Sequence, residues 1–185
     1  MMRVRKSGAR SERYTSQKGF SLLEAMIAFA VISIGLLGIA KMQAVALNST
    51  RNSNSRSLAA LFGASMASAM YANQAYWRNG PPASTVTVTK TVLSDATLAG
   101  NLINCTAVSC TPAQLASNDL RDWGTTLGAL LPNGSGQINC QQSAGSPVTC
   151  NVQIFWNEKL VALNAAAVAS TNVASTQTFA LLVEP

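Results

Sequence analysis

From Phe20 to Ala40 the chain runs for 21 residues with a single charged side chain, Glu24, before changing to a spaced apolar pattern. At about 1.5 Å per residue a helix of that length reaches about 30 Å, the thickness of a bilayer's hydrocarbon core. It is a membrane-spanning candidate. No proline occurs between Phe20 and Trp77, so one long helix is expected across the stretch. Its middle, Asn48 to Ser57, consists of Asn, Ser, Thr and Arg, poor helix formers that persist only when packed on neighbours. Leu58, Leu61, Phe62, Met66, Met70 and Trp77 then recur mostly three or four residues apart. They mark one face for packing on a globular body. Gly35 and Gly38, inside the apolar half, permit close helix approach or local loosening.

The helix is expected to stop at Arg78-Asn79-Gly80-Pro81-Pro82, where glycine terminates and proline cannot continue. Ala83 to Leu93 alternates Val86, Val88 and Lys90 with threonines and reads as strand-like. Thr111-Pro112 offers a cap followed by proline at the first helical position. Leu115, Leu120, Trp123, Leu127, and Leu130 or Leu131 then trace an amphipathic helix, weakened by Gly124, that ends before Pro132-Asn133-Gly134. Three strands follow: Gln137 to Gln142, Pro147 to Trp156 and Thr176 to Val183. The expected fold class is α+β, with a long N-terminal helix on a small antiparallel sheet and a second, shorter helix.

Charge changes the picture at the front of the chain. The net charge is +6, yet residues 1–19 hold six basic side chains against Glu12, and the rest is nearly balanced. The basicity is a positive-inside signal that keeps the N-terminus cytoplasmic, and the main body has no nucleic-acid footprint. Residues 1–17 show no apolar period and read as a targeting leader. An ordinary secretory signal would offer Ala44-Val45-Ala46 for cleavage, but this apolar run is long for such a signal and carries a carboxylate near its start.

Cys105, Cys110, Cys140 and Cys150 all lie downstream of the span, on the exported and oxidising side. Their irregular spacing, with no histidine in the chain, disfavours zinc. A hairpin turning about Gly145 would oppose Cys140 to Cys150, with Cα atoms about 4.5 Å apart if the pair is not hydrogen-bonded. That leaves Cys105 with Cys110; the two other connectivities stay open on sequence alone.

Catalytic chemistry finds little to work with. There is no phosphate-binding loop, dinucleotide fingerprint or zinc pattern, and no metal or cofactor is expected. Asp119 and Asp122, three residues apart on the amphipathic helix, are the closest acidic pair; with Arg121 nearby they read as a solvated face. The chain is not expected to be an enzyme.

The stretch Lys18-Gly19-Phe20-Ser21-Leu22-Leu23-Glu24 resembles the class III signal of type IV prepilins and the related secretion pseudopilins. That resemblance implies cleavage by a prepilin peptidase after Gly19, N-methylation of Phe20, and an assembly role for Glu24. Ile34-Gly35-Leu36-Leu37-Gly38, Met70-Tyr71-Ala72-Asn73, Asp119-Leu120-Arg121-Asp122-Trp123 and Leu131-Pro132-Asn133-Gly134 resemble the minor pilins of the PilV type. Lys41 stands where major pilins commonly carry a helix-kinking proline.

The resemblance implies a leader at 1–19, an assembly helix at 20–41, its amphipathic continuation at 42–78 and a head at 79–185. It further implies an inner-membrane anchor with a periplasmic head before assembly and a place in the pilus, at its tip, afterwards. The implied partners are membrane lipid, an inner-membrane assembly platform, and other minor and major pilins. A type II secretion pseudopilin, or a tethered adhesin domain with an uncleaved anchor, are the competing readings.

Overall fold

The computed structural model describes residues 19–142, 145–158 and 175–185; of the expected leader at 1–19, all but Gly19 lies outside the described residues. Helix α1 spans Leu22–Ala72. It is followed by α2 (Gln74–Trp77), β1 (Val86–Thr89), β2 (Val92–Leu93), α3 (Ala96–Gly100), α4 (Pro112–Leu130), β3 (Ser135–Gln141), β4 (Thr149–Glu158) and β5 (Ser175–Val183). The chain separates into two units, Met1–Met42 and Gln43–Pro185.

In the first unit, the described part of α1 is exposed along its whole length, its apolar side chains included. Among the described residues, α1 is the one helix long and apolar enough to cross a membrane.

In the second unit, α1 continues through the polar run. Thr50 Oγ1 donates to the Ala46 carbonyl at 3.0 Å and Ser57 Oγ to the Ser53 carbonyl at 3.0 Å. These back-bonds satisfy hydroxyls that would otherwise compete with the helix. Partly or fully covered positions recur at Val45, Asn48, Asn52, Ser55, Ala59, Phe62, Met66 and Met70, steps of three and four that keep one stripe on the body. Leu61, expected on that stripe, is 62% exposed, because it falls one position to the side of it.

The expected single helix to Trp77 is interrupted at Asn73, whose φ of −118° and ψ of 51° leave the helical region. Its amide Nδ2 donates to the Pro112 carbonyl at 2.8 Å. A side-chain bond to the start of α4 thus accompanies the break and fixes where α2 begins.

The sheet is antiparallel in the order β2-β1-β3-β4-β5. Alternation places Val86, Val88, Ile138, Val152, Ile154 and Trp156 on a buried face against the helices, while the other face is polar and solvated. The strand-like stretch Ala83 to Leu93 proves to be a hairpin, with β1 and β2 pairing Thr89 with Val92. Its turn residue Lys90 takes φ +53°, a conformation usually left to Asn or Gly, so the turn has no sequence signature.

Helix α3 was also not expected. Asp95 caps it, accepting from the Leu98 amide at 2.9 Å, and Leu98 is fully buried.

Helix α4 has the expected start, strengthened to a full capping box: Thr111 Oγ1 accepts from the Gln114 amide at 3.4 Å, and Gln114 Oε1 accepts from the Thr111 amide at 2.9 Å. Of its last two leucines, Leu131 is buried and Leu130 exposed. Gly124, a weak point by propensity, is where the hairpin turn lands. A Cβ there would lie 2.2 Å from the Lys90 carbonyl oxygen, and one at Gly128 would lie 2.9 Å from Lys90 Cγ. Together the two glycines form a groove for the Lys90 turn. Gly136 of β3 leaves similar room for the Trp123 ring, which would meet a Cβ at 2.2 Å. The seated indole donates from Nε1 to the Phe62 carbonyl of α1 at 3.0 Å.

Both disulfides are present. Cys140–Cys150 has its Cα atoms 3.9 Å apart, and Cys105–Cys110 closes the loop ahead of α4. The β3–β4 register pairs Cys140 with Cys150 and Gln137 with Gln153, as the Gly145-centred hairpin requires; Gly145 itself takes φ +81°.

These contacts decide the sign of one substitution. Gly124→Ala gains up to about 1 kcal/mol of helix propensity, but its Cβ collides with backbone rather than with a flexible side chain. We expect net destabilisation of about 1–3 kcal/mol, read as a lower denaturation midpoint of the disulfide-intact protein.

Candidate functional site

Ser21, Leu22, Leu23 and Glu24 build the start of α1. Ser21 stands just before the helix, and its Oγ accepts from the Leu23 amide at 3.2 Å while its carbonyl accepts from the Ala25 amide at 3.2 Å. The serine therefore caps the helix, satisfying a first-turn donor that lacks an intrahelical partner. Glu24 lies in the first turn, where a carboxylate is favoured by the positive end of the helix dipole. A capping serine followed three residues later by glutamate is itself a helix-start pattern.

Gly19 and Phe20 precede the helix in non-regular backbone and are exposed, Phe20 at 86%. The peptide bond between them is accessible. All three residues singled out from the sequence thus gather at one helix start, with the bond, its flanking residues and the carboxylate within about one turn.

After these comes an apolar surface with no protein covering. Leu22, Leu23, Met26, Ile27 and Phe29 are all more than half exposed. Exposed apolar area on this scale marks a surface built to be covered by lipid or by other helices.

A comparison with protein families matches residues 14–40 to the prokaryotic N-terminal methylation motif. The matched segment contains Gly19, Phe20 and Glu24 and is a type IV pilin-like prepilin signal. Such a motif is the kind found at the start of pilin- and pseudopilin-like precursors, and it coincides here with a helix long and apolar enough to cross a membrane. No curated protein and no solved structure matches the chain.

The acidic pair on α4 is arranged differently from the sequence expectation. Arg121 turns away from both carboxylates. Its Nη1 donates to the Thr91 carbonyl at 2.9 Å and its Nη2 to the Ala99 carbonyl at 2.7 Å, so it ties α4 to the β2 approach and the end of α3. Asp119 and Asp122 instead border a cleft of about 260 Å³ with Phe62, Met66 and Trp123. Burial raises the Asp119 pKa above its ordinary value, and the nearby charge of Asp122 adds to the rise. Asp122 accepts from Asn118 Nδ2 at 3.0 Å. Tyr76 is pushed up to about 12, by burial first and then by Asp95, so its phenol stays protonated. Among the described residues, no cluster of three or more His, Cys, Asp or Glu side chains is placed to hold a metal.

One ionic contact has no signal in the sequence. Glu158, at the end of β4, has a side chain only 3% exposed. Its two oxygens accept from Arg56 Nε and Nη2, each at 3.1 Å, and Oε1 also accepts from Trp156 Nε1 at 3.2 Å. The fork geometry of arginine suits this bidentate grip. It holds the polar middle of α1 to the sheet, from a residue that looked like part of an unsupported run.

Asp119 generates a pH prediction. A carboxyl whose folded pKa lies above its unfolded value of 3.8 lowers stability once it must ionise in the folded state, and the loss disappears below the unfolded value. Asp119→Asn is therefore expected to raise the denaturation midpoint at pH 7. That gain should shrink as pH falls through 3.8, where Asp119 becomes protonated in the unfolded chain as well as in the fold. Paired denaturation curves at the two pH values check it.

Proposed function

We propose that this protein is a minor type IV pilin of the PilV type, made as a membrane-anchored precursor. On this reading it joins other minor pilins to prime or support pilus assembly. It works by helix packing and head contacts, without catalysis. The observation that carries the reading is the match of the methylation motif to residues 14–40, which coincides with an exposed Gly19-Phe20 bond and with Glu24 in the first turn of an uncovered apolar helix.

The order of events follows from electrostatics. In the uncleaved precursor Glu24 is an acid at the head of an apolar helix, where ionised groups near the bilayer centre carry a penalty of roughly 2.5–3.5 kcal/mol, less toward an end. Hydrolysis of the bond after Gly19 leaves a Gly19 carboxylate and a free Phe20 amine; the neutral amine takes a methyl group from an electrophilic methyl donor, and the resulting secondary amine is protonated. The new cation lies one turn from Glu24, and the two charges, within one subunit or between neighbours, neutralise each other in a medium of low dielectric. An unmatched Glu24 thereby favours the docking of a processed partner.

The PilV assignment is supported by the segments that resemble that branch. Three of them fall at working positions of the fold: Asn73 at the helix break, Trp123 in the core and Leu131–Gly134 at the turn into β3. A polar head, fixed by two disulfides, is suited to an oxidising periplasm and to the pilus tip. Its other contacts on this reading are the inner-membrane assembly platform and the major pilin.

Glu24→Ala tests the assembly role. We expect leader removal to continue at the wild-type rate and recovery of the protein in sheared surface pili to fall at least about tenfold, the equivalent of losing one charge pair worth about 1.4 kcal/mol. Normal recovery of the cleaved variant would sink the role given to Glu24. Recovery of the wild-type protein only with secretion complexes would replace the pilin by a pseudopilin.

A further inference from the structure

We propose that the solvent-facing side of β3 and β4 is a binding site for a neutral carbohydrate. The site goes beyond the assembly function and does not depend on it. The outward positions of the two strands oppose Gln137 to Gln153, Asn139 to Asn151 and Gln141 to Thr149. They line a recess of about 410 Å³ that contains no ionisable side chain.

Three features define the ligand's chemistry. First, the lining is uncharged, so it offers no attraction to phosphate, nucleic acid or acidic peptide, all of which are recognised through cations. Second, every amide presents both a donor and an acceptor. Neighbouring strands stand about 4.8 Å apart and alternate residues about 6.8 Å apart, so the recess is a regular grid of paired donors and acceptors. A sugar face carries hydroxyls that likewise both donate and accept.

Third, part of the grid is already oriented and part makes no hydrogen bond within the protein. Asn139 Nδ2 donates to Thr85 Oγ1 at 2.7 Å, which leaves the Asn139 carbonyl oxygen aimed away from β1 and available. Gln141, Asn151 and Gln153 make no side-chain hydrogen bond among the described residues. Apolar surface lies beside the amides: Leu182, 67% exposed, pairs with Asn151 from β5, and Phe155 is the next outward residue of β4 after Gln153. Such surfaces accept the C–H faces of a pyranose.

The backbone favours a ligand of this kind over a protein strand. From Cys150 to Phe155, β4 pairs with β3 on one side and β5 on the other, so strand addition has no free main chain to use along β4. The Cys140–Cys150 bridge lies one residue along from the Asn139–Asn151 row. It holds the two strands in register, so little order has to be imposed on binding.

The test uses the full-length protein in a detergent without a sugar headgroup, applied to an array of neutral oligosaccharides with heparin as the charged comparison. We expect retention on at least one neutral glycan, insensitive to added salt. The Asn151→Ala/Gln153→Ala double variant should bind about tenfold more weakly, as loss of two such hydrogen bonds implies. Asn151→Asp, which keeps the shape and adds a charge, should weaken binding as well; circular dichroism checks that both variants keep the wild-type fold. Retention on no neutral glycan, retention on heparin alone, or equal binding by folded variants would overturn the proposal. So would self-association of the wild-type protein that the double variant loses, since the face would then be an interface between copies.

Discussion

The constraint on which the molecule depends is that one helix serves two surroundings. Up to Met42 the described part of α1 carries large apolar side chains that are exposed, a surface suited to lipid or other helices. From Gln43 onward the same helix presents a narrow stripe to its own sheet and to α4. Helix propensity alone would not carry α1 through Asn48–Ser57. It persists there through serine and threonine back-bonds and the Arg56–Glu158 grip, and beyond that stretch through Ala59, Phe62, Met66 and Met70 in the core. The second half of the helix is thus secured on its own body.

The sheet supplies that security through fit more than through size. Gly136 receives the Trp123 ring, and that indole in turn bonds to the backbone of α1 at Phe62. Gly124 and Gly128 receive the Lys90 turn. Arg121 reaches the carbonyls that close α3. These contacts link α1, α4 and the β1–β2 hairpin. The polar residues that looked most like candidate chemistry are structural or solvated: Arg121 is a tether, and Asp119 and Asp122 border a cleft they do not share with a cation.

Much of this was legible in the sequence because it rests on period and on local chemistry. The apolar run with Glu24, the Thr111-Pro112 cap, the Gly145 turn and the Cys140–Cys150 opposition each depend on residues within a few positions of one another. The gaps arise where a distant partner decides. Asn73 leaves the helix where its amide meets Pro112; Lys90 takes a left-handed turn that its residue type does not announce; Glu158 is buried because Arg56, far away in sequence, reaches it. Helix α3 had a signal in Asp95 ahead of Leu98, but five residues are too few to show a period. At the processing segment, Gly19, Phe20 and Glu24 could be read from the sequence, whereas the cap formed by Ser21 was seen only in the structure.

The central claim is that the exposed bond after Gly19 is cut and that the new terminus at Phe20 becomes the charge partner of Glu24. The most direct test is the mass of the N-terminal peptide of the protein isolated from cells. The account predicts a peptide that begins at Phe20 and carries one added methyl group on its amine. A peptide that begins at Met1 or Met2, or one produced by a cut after Ala46, would contradict it.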